Sequence, residues 1–186
     1  MEKILIIANS TLAQEFKSTY NDIYSIDIYN NFDMKSKKDC IKILDVAQMY
    51  DKVIFTAGSH SGDSWDIIST NFTGPCFIIS ELVNLGFKGH LIYIGSYGSV
   101  WTSWPDISLE RLTYNTSKLA SVKFIQGLEH SKIGSARLSV INPSKFQTKM
   151  SKYQGMEVLR IIEILKWIVD SPSDINITNI EFTAEQ

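Results

Sequence analysis

What is scarce in this chain sets the first limits. Two cysteines, Cys40 and Cys76, stand in separate segments of its 186 residues. That spacing supports neither a disulfide framework nor a thiolate metal site, and it fits a reducing compartment. The three histidines, His60, His90 and His130, are scattered, so no metal is expected. No stretch approaches the roughly 18 consecutive apolar residues that a membrane helix needs, so no membrane partner is expected. Basic blocks are missing too: 18 Lys and Arg face 20 Asp and Glu, a net charge of −2, which makes nucleic acid an unexpected partner. The first residues enter a strand-like segment without a basic, apolar leader, and the expected location is the cytoplasm. Glycine is sparse where it would matter most. The turn after the first apolar run reads Ala8-Asn9-Ser10-Thr11-Leu12-Ala13, with no glycine in it.

What is present is ordinary for a globular protein: 44% hydrophobic and 20% charged residues, enough chain for one domain with a real core. Lys3–Ile7 is a continuous apolar run, as expected of a strand buried on both faces. Further strands are predicted at Ser25–Tyr29, Lys52–Phe55, His90–Ile94, Ala136–Ile141 and Ile175–Phe182. Between them fall helices predicted over Leu12–Tyr20, Lys37–Met49, Ser64–Leu85, Leu109–Leu128 and Glu157–Val169. In the second of these, Ile41, Leu44 and Met49 carry the helical spacing. The alternation argues one α/β domain, a doubly wound parallel sheet of about six strands with helices on both faces.

In such a sheet the chemistry sits at the carboxyl ends of the strands. Thr56-Ala57-Gly58 follows the third strand with two small residues that let a ligand approach the backbone. Asn71 lies inside a predicted helix, where Asn is a poor former, and Gly74-Pro75 should distort that helix within a turn. Gly95-Ser96 follows the fourth strand, with Ser99 and Ser103 beyond. Asn142-Pro143-Ser144 and Thr148 follow the fifth. Tyr114 and Lys118 are four residues apart on one helix, so both project from the same face. An unperturbed Tyr has a pKa of about 10, and acid/base work near neutrality asks for a drop of roughly three units, about 4 kcal/mol. A fixed positive charge nearby is one way to supply it.

Together these residues resemble the short-chain dehydrogenase/reductase family. Thr56-Ala57-Gly58 is similar to the end of the family's Asn-Asn-Ala-Gly motif, with both asparagines absent. Trp65–Phe77 resembles its Trp-…-Asn-x-x-Gly-x-Phe stretch. Ser96 matches the catalytic serine, and Tyr114 with Lys118 matches Tyr-x-x-x-Lys. Pro143-Ser144…Thr148 is similar to Pro-Gly-x-x-x-Thr, with serine in place of glycine. The resemblance implies a Rossmann-like fold and an NAD(P)-dependent oxidoreductase acting on a small carbonyl or alcohol. Asn71, Ser96, Tyr114 and Lys118 would be its catalytic set. NAD or NADP would lie across Asn9, Ser10, Thr11 and Leu12, the Asp33-Met34 pair at the adenine, Thr56, Ala57 and Gly58, Lys118, and Pro143, Ser144 and Thr148. Asp27 would take the adenosine ribose hydroxyls, favouring NAD, whereas Lys35, Lys37 and Lys38 would meet a 2′-phosphate. The choice stays open.

Three departures from the family pattern remain. One is the glycine-free first turn, where Ser10 or Thr11 would cap the helix and donate to phosphate. Another is the early position of Asp33-Met34, similar to that in compact sugar-nucleotide reductases. The last is the Ser96–Tyr114 stretch, several residues longer than in compact members, with Trp101, Trp104 and Pro105 placed to line a substrate pocket. Pairing through the two long helices would give a homodimer or homotetramer. The alternative readings are a catalytically weak nucleotide sensor or scaffold of the same fold, and a sugar-nucleotide reductase or epimerase.

Overall fold

The computed structural model describes residues 1–99, 107–148, 151–175 and 177–183. The strands are β1 (Lys3–Ile7), β2 (Ser25–Tyr29), β3 (Lys52–Phe55), β4 (His90–Ile94), β5 (Arg137–Pro143) and β6 (Asn179–Phe182). All pair in parallel in the order β2-β1-β3-β4-β5-β6. The apolar run of β1 is central because parallel strands bury both faces. Leu5 and Ile7 point to one core and Ile4 and Ile6 to the other. Helices α1 (Thr11–Tyr20) and α6 (Val158–Val169) cover the Ile4 side. On the Leu5 side lie α2 (Lys37–Ala47), α4 (Gly74–Asn84) and α5 (Leu109–His130). Six parallel strands with helices on both faces match the expectation from sequence.

The differences have physical causes. On α2 the buried stripe is Cys40, Ile43, Leu44 and Ala47, while Ile41 and Met49 are exposed. The stripe keeps the i, i+3, i+4, i+7 rule but uses two small residues, which a search for large apolar side chains passes over. Strand β5 runs two residues further than expected, through Pro143, which pairs with Phe182 at the end of β6. The sixth strand begins at Asn179 rather than Ile175. No helix among the described residues is long and apolar enough to cross a membrane.

The helix predicted over Ser64–Leu85 is broken. It starts as α3 (Ser64–Ile68), widens into a π-turn over Ser69–Thr73 and resumes as α4 at Gly74. Gly74 is needed for space. A Cβ there would sit 2.4 Å from Met34 Cγ and 2.5 Å from the Met34 carbonyl oxygen. The loop after β2 therefore rests directly on the start of α4.

At the opposite end of the sheet His90 is buried on β4, with Nε2 2.8 Å from Ser139 Oγ. Burial, with Arg137 and Lys52 nearby, pushes its pKa down to about 3. The folded protein keeps His90 neutral, whereas the unfolded chain takes up a proton near pH 6.5. Stability from this residue is therefore complete above pH 6.5 and falls as pH drops from there toward 3. The expected slope is up to about 1.4 kcal/mol per pH unit. Urea denaturation between pH 7 and 4.5 should show that loss in the wild type, and His90→Gln should flatten it.

Candidate functional site

The order of the sheet reverses at β1, whose neighbours are β2 and β3, and a crevice opens outside the carboxyl ends of the strands at such a point. A cleft of about 400 Å³ occupies it, lined by Ala8, Asn9, Asn30, Phe32, Asp33, Met34, Lys35, Ala57, Gly58 and Thr70. The β1 turn is shaped by a backbone that an L-residue rarely adopts: Ala8 has φ +87°. Two bonds hold it there. Its N–H donates to the Tyr29 carbonyl at 2.9 Å, and its carbonyl accepts from Thr56 Oγ1 at 3.2 Å. Thr56 also donates to Ile7 at 3.0 Å, so it ties β3 to β1 and does not line the cleft. Ser10, not Thr11, caps α1 by accepting from the Ala13 N–H at 3.1 Å. Asn9 lines the cleft and accepts from Gln14.

Across the cleft, the Asp33 carboxylate accepts from the Lys35 N–H at 2.9 Å. The Lys35 ammonium meets Asp66 at 3.0 Å, which raises the lysine pKa. Asp27 sits mid-strand on β2 and accepts from the Tyr50 hydroxyl at 2.8 Å, away from the cleft lining. The strand-end position belongs to Asn30. Asn30, Phe32 and Thr70 are the lining residues that sequence reasoning missed. The signal for Asn30 was the end of the apolar run at Tyr29: the next residue, not one inside the run, faces the crevice.

Gly58 joins this cleft to a second group of residues. A Cβ on Gly58 would lie 3.2 Å from Lys118 Nζ and 3.3 Å from Asn71 Oδ1. Lys118 projects from α5 with Tyr114, Ser117 and Ser121, all buried on one stripe. Its ammonium donates to the Ile94 carbonyl at 2.9 Å and to the Ala57 carbonyl at 3.4 Å, and it lies 4.7 Å from the Tyr93 ring centroid. Desolvation brings its pKa down to about 7. Asn71 stands in the π-turn. Its amide accepts from the Ser59 N–H at 2.9 Å and donates to the Ser59 carbonyl at 2.7 Å, while its own carbonyl accepts from the hydroxyls of Tyr93 at 2.8 Å and Ser121 at 2.7 Å.

Tyr114 is buried, and burial holds its pKa up; a hydrogen bond with Ser96 and the charge of Arg111 pull the other way. The cation that bears on the phenol is thus Arg111, whose guanidinium is 5.5 Å from the ring centroid, not Lys118. Ser96 itself is positioned by a residue sequence reasoning treated as a turn. The Asn142 amide oxygen accepts from the Ser96 N–H at 3.2 Å, and its nitrogen donates to Asn179 at 2.8 Å. Gly95 leaves the room: a Cβ there would meet Asn142 Oδ1 at 2.0 Å.

Of the other expected positions, Leu12 is buried in the core beneath α1. Pro143 is strand, Ser144 donates its N–H to the Phe182 carbonyl at 3.0 Å, and Thr148 exchanges hydrogen bonds with Ser151. None of these four lines the cleft. Ser103, Trp101, Trp104 and Pro105 lie outside the described residues. Among the described residues no cluster of His, Cys, Asp and Glu could hold a metal.

No protein-family model matches the chain, and no curated protein sequence does. Solved structures do. The protein lin1944 from Listeria innocua is similar with a TM-score of 0.79 at 12% identity, over 97% of this chain and 99% of that one. A 4-hydroxyisoleucine dehydrogenase complexed with NADH gives 0.74 at 18%, over 98% and 96%. A short-chain dehydrogenase/reductase from Vibrio parahaemolyticus gives 0.75 at 15%, over 98% and 100%. The fold is that of short-chain dehydrogenase/reductases.

The Ala8 conformation leads to a direct expectation. A non-glycine residue held at positive φ costs on the order of 1–3 kcal/mol, partly offset by the greater freedom glycine has when unfolded. Ala8→Gly should stabilise the protein by about 1 kcal/mol, raising Tm by about 2–4 °C in a calorimetric scan. Ala8→Val should lower it.

Proposed function

We propose that the chain is an NAD(P)-dependent oxidoreductase of the short-chain type, interconverting a small carbonyl compound and its alcohol. The observation that carries this reading is Gly58: it lines the strand-end cleft, and a Cβ on it would stand 3.2 Å from Lys118 Nζ and 3.3 Å from Asn71 Oδ1. A ligand laid along the cleft therefore ends at the proposed reacting groups. The residues fit a dinucleotide. Phe32 and Met34 offer apolar walls, the backbone of Ala8 and Gly58 permits close approach, and Ser10 begins a helix whose N-terminus favours phosphate. Asp33, Asn30 and Lys35, which line the same cleft, would contact its adenosine half.

Nicotinamide supplies or accepts the hydride when bound. Tyr114 gives its proton to the carbonyl oxygen in reduction and takes it back in oxidation. Its raised pKa keeps it protonated at neutral pH, the form that donates. Ser96 hydrogen-bonds the same oxygen, where negative charge develops. Lys118, held by the Ile94 and Ala57 carbonyls, keeps a donor for a ribose hydroxyl, while the charge that favours the tyrosinate is that of Arg111. Asn71 acts through the backbone it fixes at Ser59. For assembly, Trp65, Ile68, Leu109 and Leu112 are exposed on α3 and the start of α5, the surface through which we place a homodimer. Light scattering at micromolar concentration should report the dimer, and Trp65→Glu the monomer.

NAD⁺, NADH, NADP⁺ and NADPH should be compared by thermal shift. A dinucleotide at 100 times its dissociation constant adds about 2.7 kcal/mol of stability, so at least one should raise Tm clearly at millimolar concentration. With the stabilising cofactor and a carbonyl panel, Tyr114→Phe should keep cofactor binding and lose about 10²–10⁴ in turnover. Lys118→Ala should harm both. No shift with any dinucleotide would sink the reading; turnover intact in Tyr114→Phe would sink the mechanism.

A further inference from the structure

The Ser96 side of the site carries polar groups that the proposed mechanism does not use. Asn115, next to Tyr114 on α5, is 1% exposed, yet neither its amide oxygen nor its amide nitrogen has a hydrogen-bond partner among the described residues. Burying an amide unpaired is unfavourable, and the cost is relieved where a ligand completes it. Asn115 Oδ1 lies 3.1 Å from the point a Cβ on Gly98 would take. Ser96 Oγ is 3.5 Å and Arg111 Nη2 3.6 Å from the same point. An amide, a hydroxyl and a guanidinium thus converge beside Gly98, a residue with no side chain to part them. The guanidinium makes no ion pair with a carboxylate among the described residues, and it stands beside the Tyr114 ring.

We propose that the polar cluster beside Gly98 is a carboxylate subsite, and that the substrate is a small oxo acid or the matching hydroxy acid, held by Arg111 and Asn115 with its reacting oxygen at Ser96 and Tyr114. The planar fork of arginine matches a carboxylate in two parallel hydrogen bonds. The Asn115 amide supplies a further N–H, its orientation set by the partner that arrives. Arg111 also sits in the first turn of a long helix, whose positive end favours an anion. A neutral ketone would leave both the guanidinium and the buried amide unanswered. The reacting half of this proposal rests on the oxidoreductase reading; the anion half rests on the geometry beside Gly98.

The test uses oxamate, an unreactive mimic of a 2-oxo acid, and its neutral counterpart oxamide, titrated calorimetrically into the full chain. Oxamate should bind about 10- to 100-fold more tightly, the worth of hydrogen bonds to a charged group. Arg111→Ala should bring that ratio to near one, and Arg111→Lys should keep part of it. Gly98→Ala should weaken oxamate by crowding the Asn115 amide. Arg160→Ala, on the remote helix α6, should leave the ratio unchanged. A ratio near one in the wild type, a ratio that survives Arg111→Ala, or no binding of either probe overturns the subsite. Neutral ketones turned over with a ratio near one would overturn the subsite and leave the redox reading standing. An Arg111-dependent preference for oxamate without any nicotinamide-dependent turnover would keep the subsite and overturn the redox reading.

Discussion

The upper half of this fold hangs on the two ends of one asparagine. The side chain of Asn71 pairs with both backbone groups of Ser59, and its main-chain carbonyl takes hydroxyls from β4 and α5. A carbonyl oxygen has two lone pairs, and this one gives both to side-chain hydroxyls. It stands in the π-turn, between the Tyr93 hydroxyl of β4 and the Ser121 hydroxyl of α5. The loop after β3, the end of β4 and the buried stripe of α5 are thereby fixed to one another. Lys118 falls into the space between them, facing the carbonyls of Ile94 and Ala57.

That arrangement was partly legible in the chain. The apolar runs fixed which segments would be strands, since a parallel sheet buries both faces and leaves little choice of register. Asn71 with Gly74-Pro75 announced a broken helix because poor formers cluster there. The tie between Asn142 and Ser96 was not legible: it joins two strands by a side chain, and nothing local in Asn-Pro-Ser distinguishes it from a turn. Asp27 misled for the opposite reason. Its charge drew attention, but its place inside β2 gives it to Tyr50. Of the residues expected at the cofactor, Asn9, Asp33, Met34, Ala57 and Gly58 line the cleft. Those at the end of β5 and beyond do not. The glycine-free turn keeps the left-handed backbone of a glycine turn, with Ala8 held there by Tyr29 and Thr56.

The electrostatics could be named from sequence only by type. A lysine one helical turn from a tyrosine reads as the charge that tunes it. In the fold, desolvation lowers the Lys118 pKa to about 7 and two of its donors go to the Ile94 and Ala57 carbonyls, while exposed Arg111 carries the charge that reaches Tyr114. Burial and a neighbouring guanidinium oppose each other on the phenol, and burial is the larger influence. A group so held is sensitive to anything that enters beside it. An added dipole or anion changes the balance more in a dry site than in water.

The contact between Met34 and Gly74 has a wider meaning. One wall of the cleft is packed, atom against atom, on the first residue of the helix that follows the π-turn. Opening that wall would uncover the start of the helix, which would join the wall and the Asn71 clamp in one unit of local unfolding. Amide hydrogen exchange would register them together. A molecule that does no more than settle against Met34 would then slow exchange in that helix as well, and so carry the news of its arrival beyond the cleft.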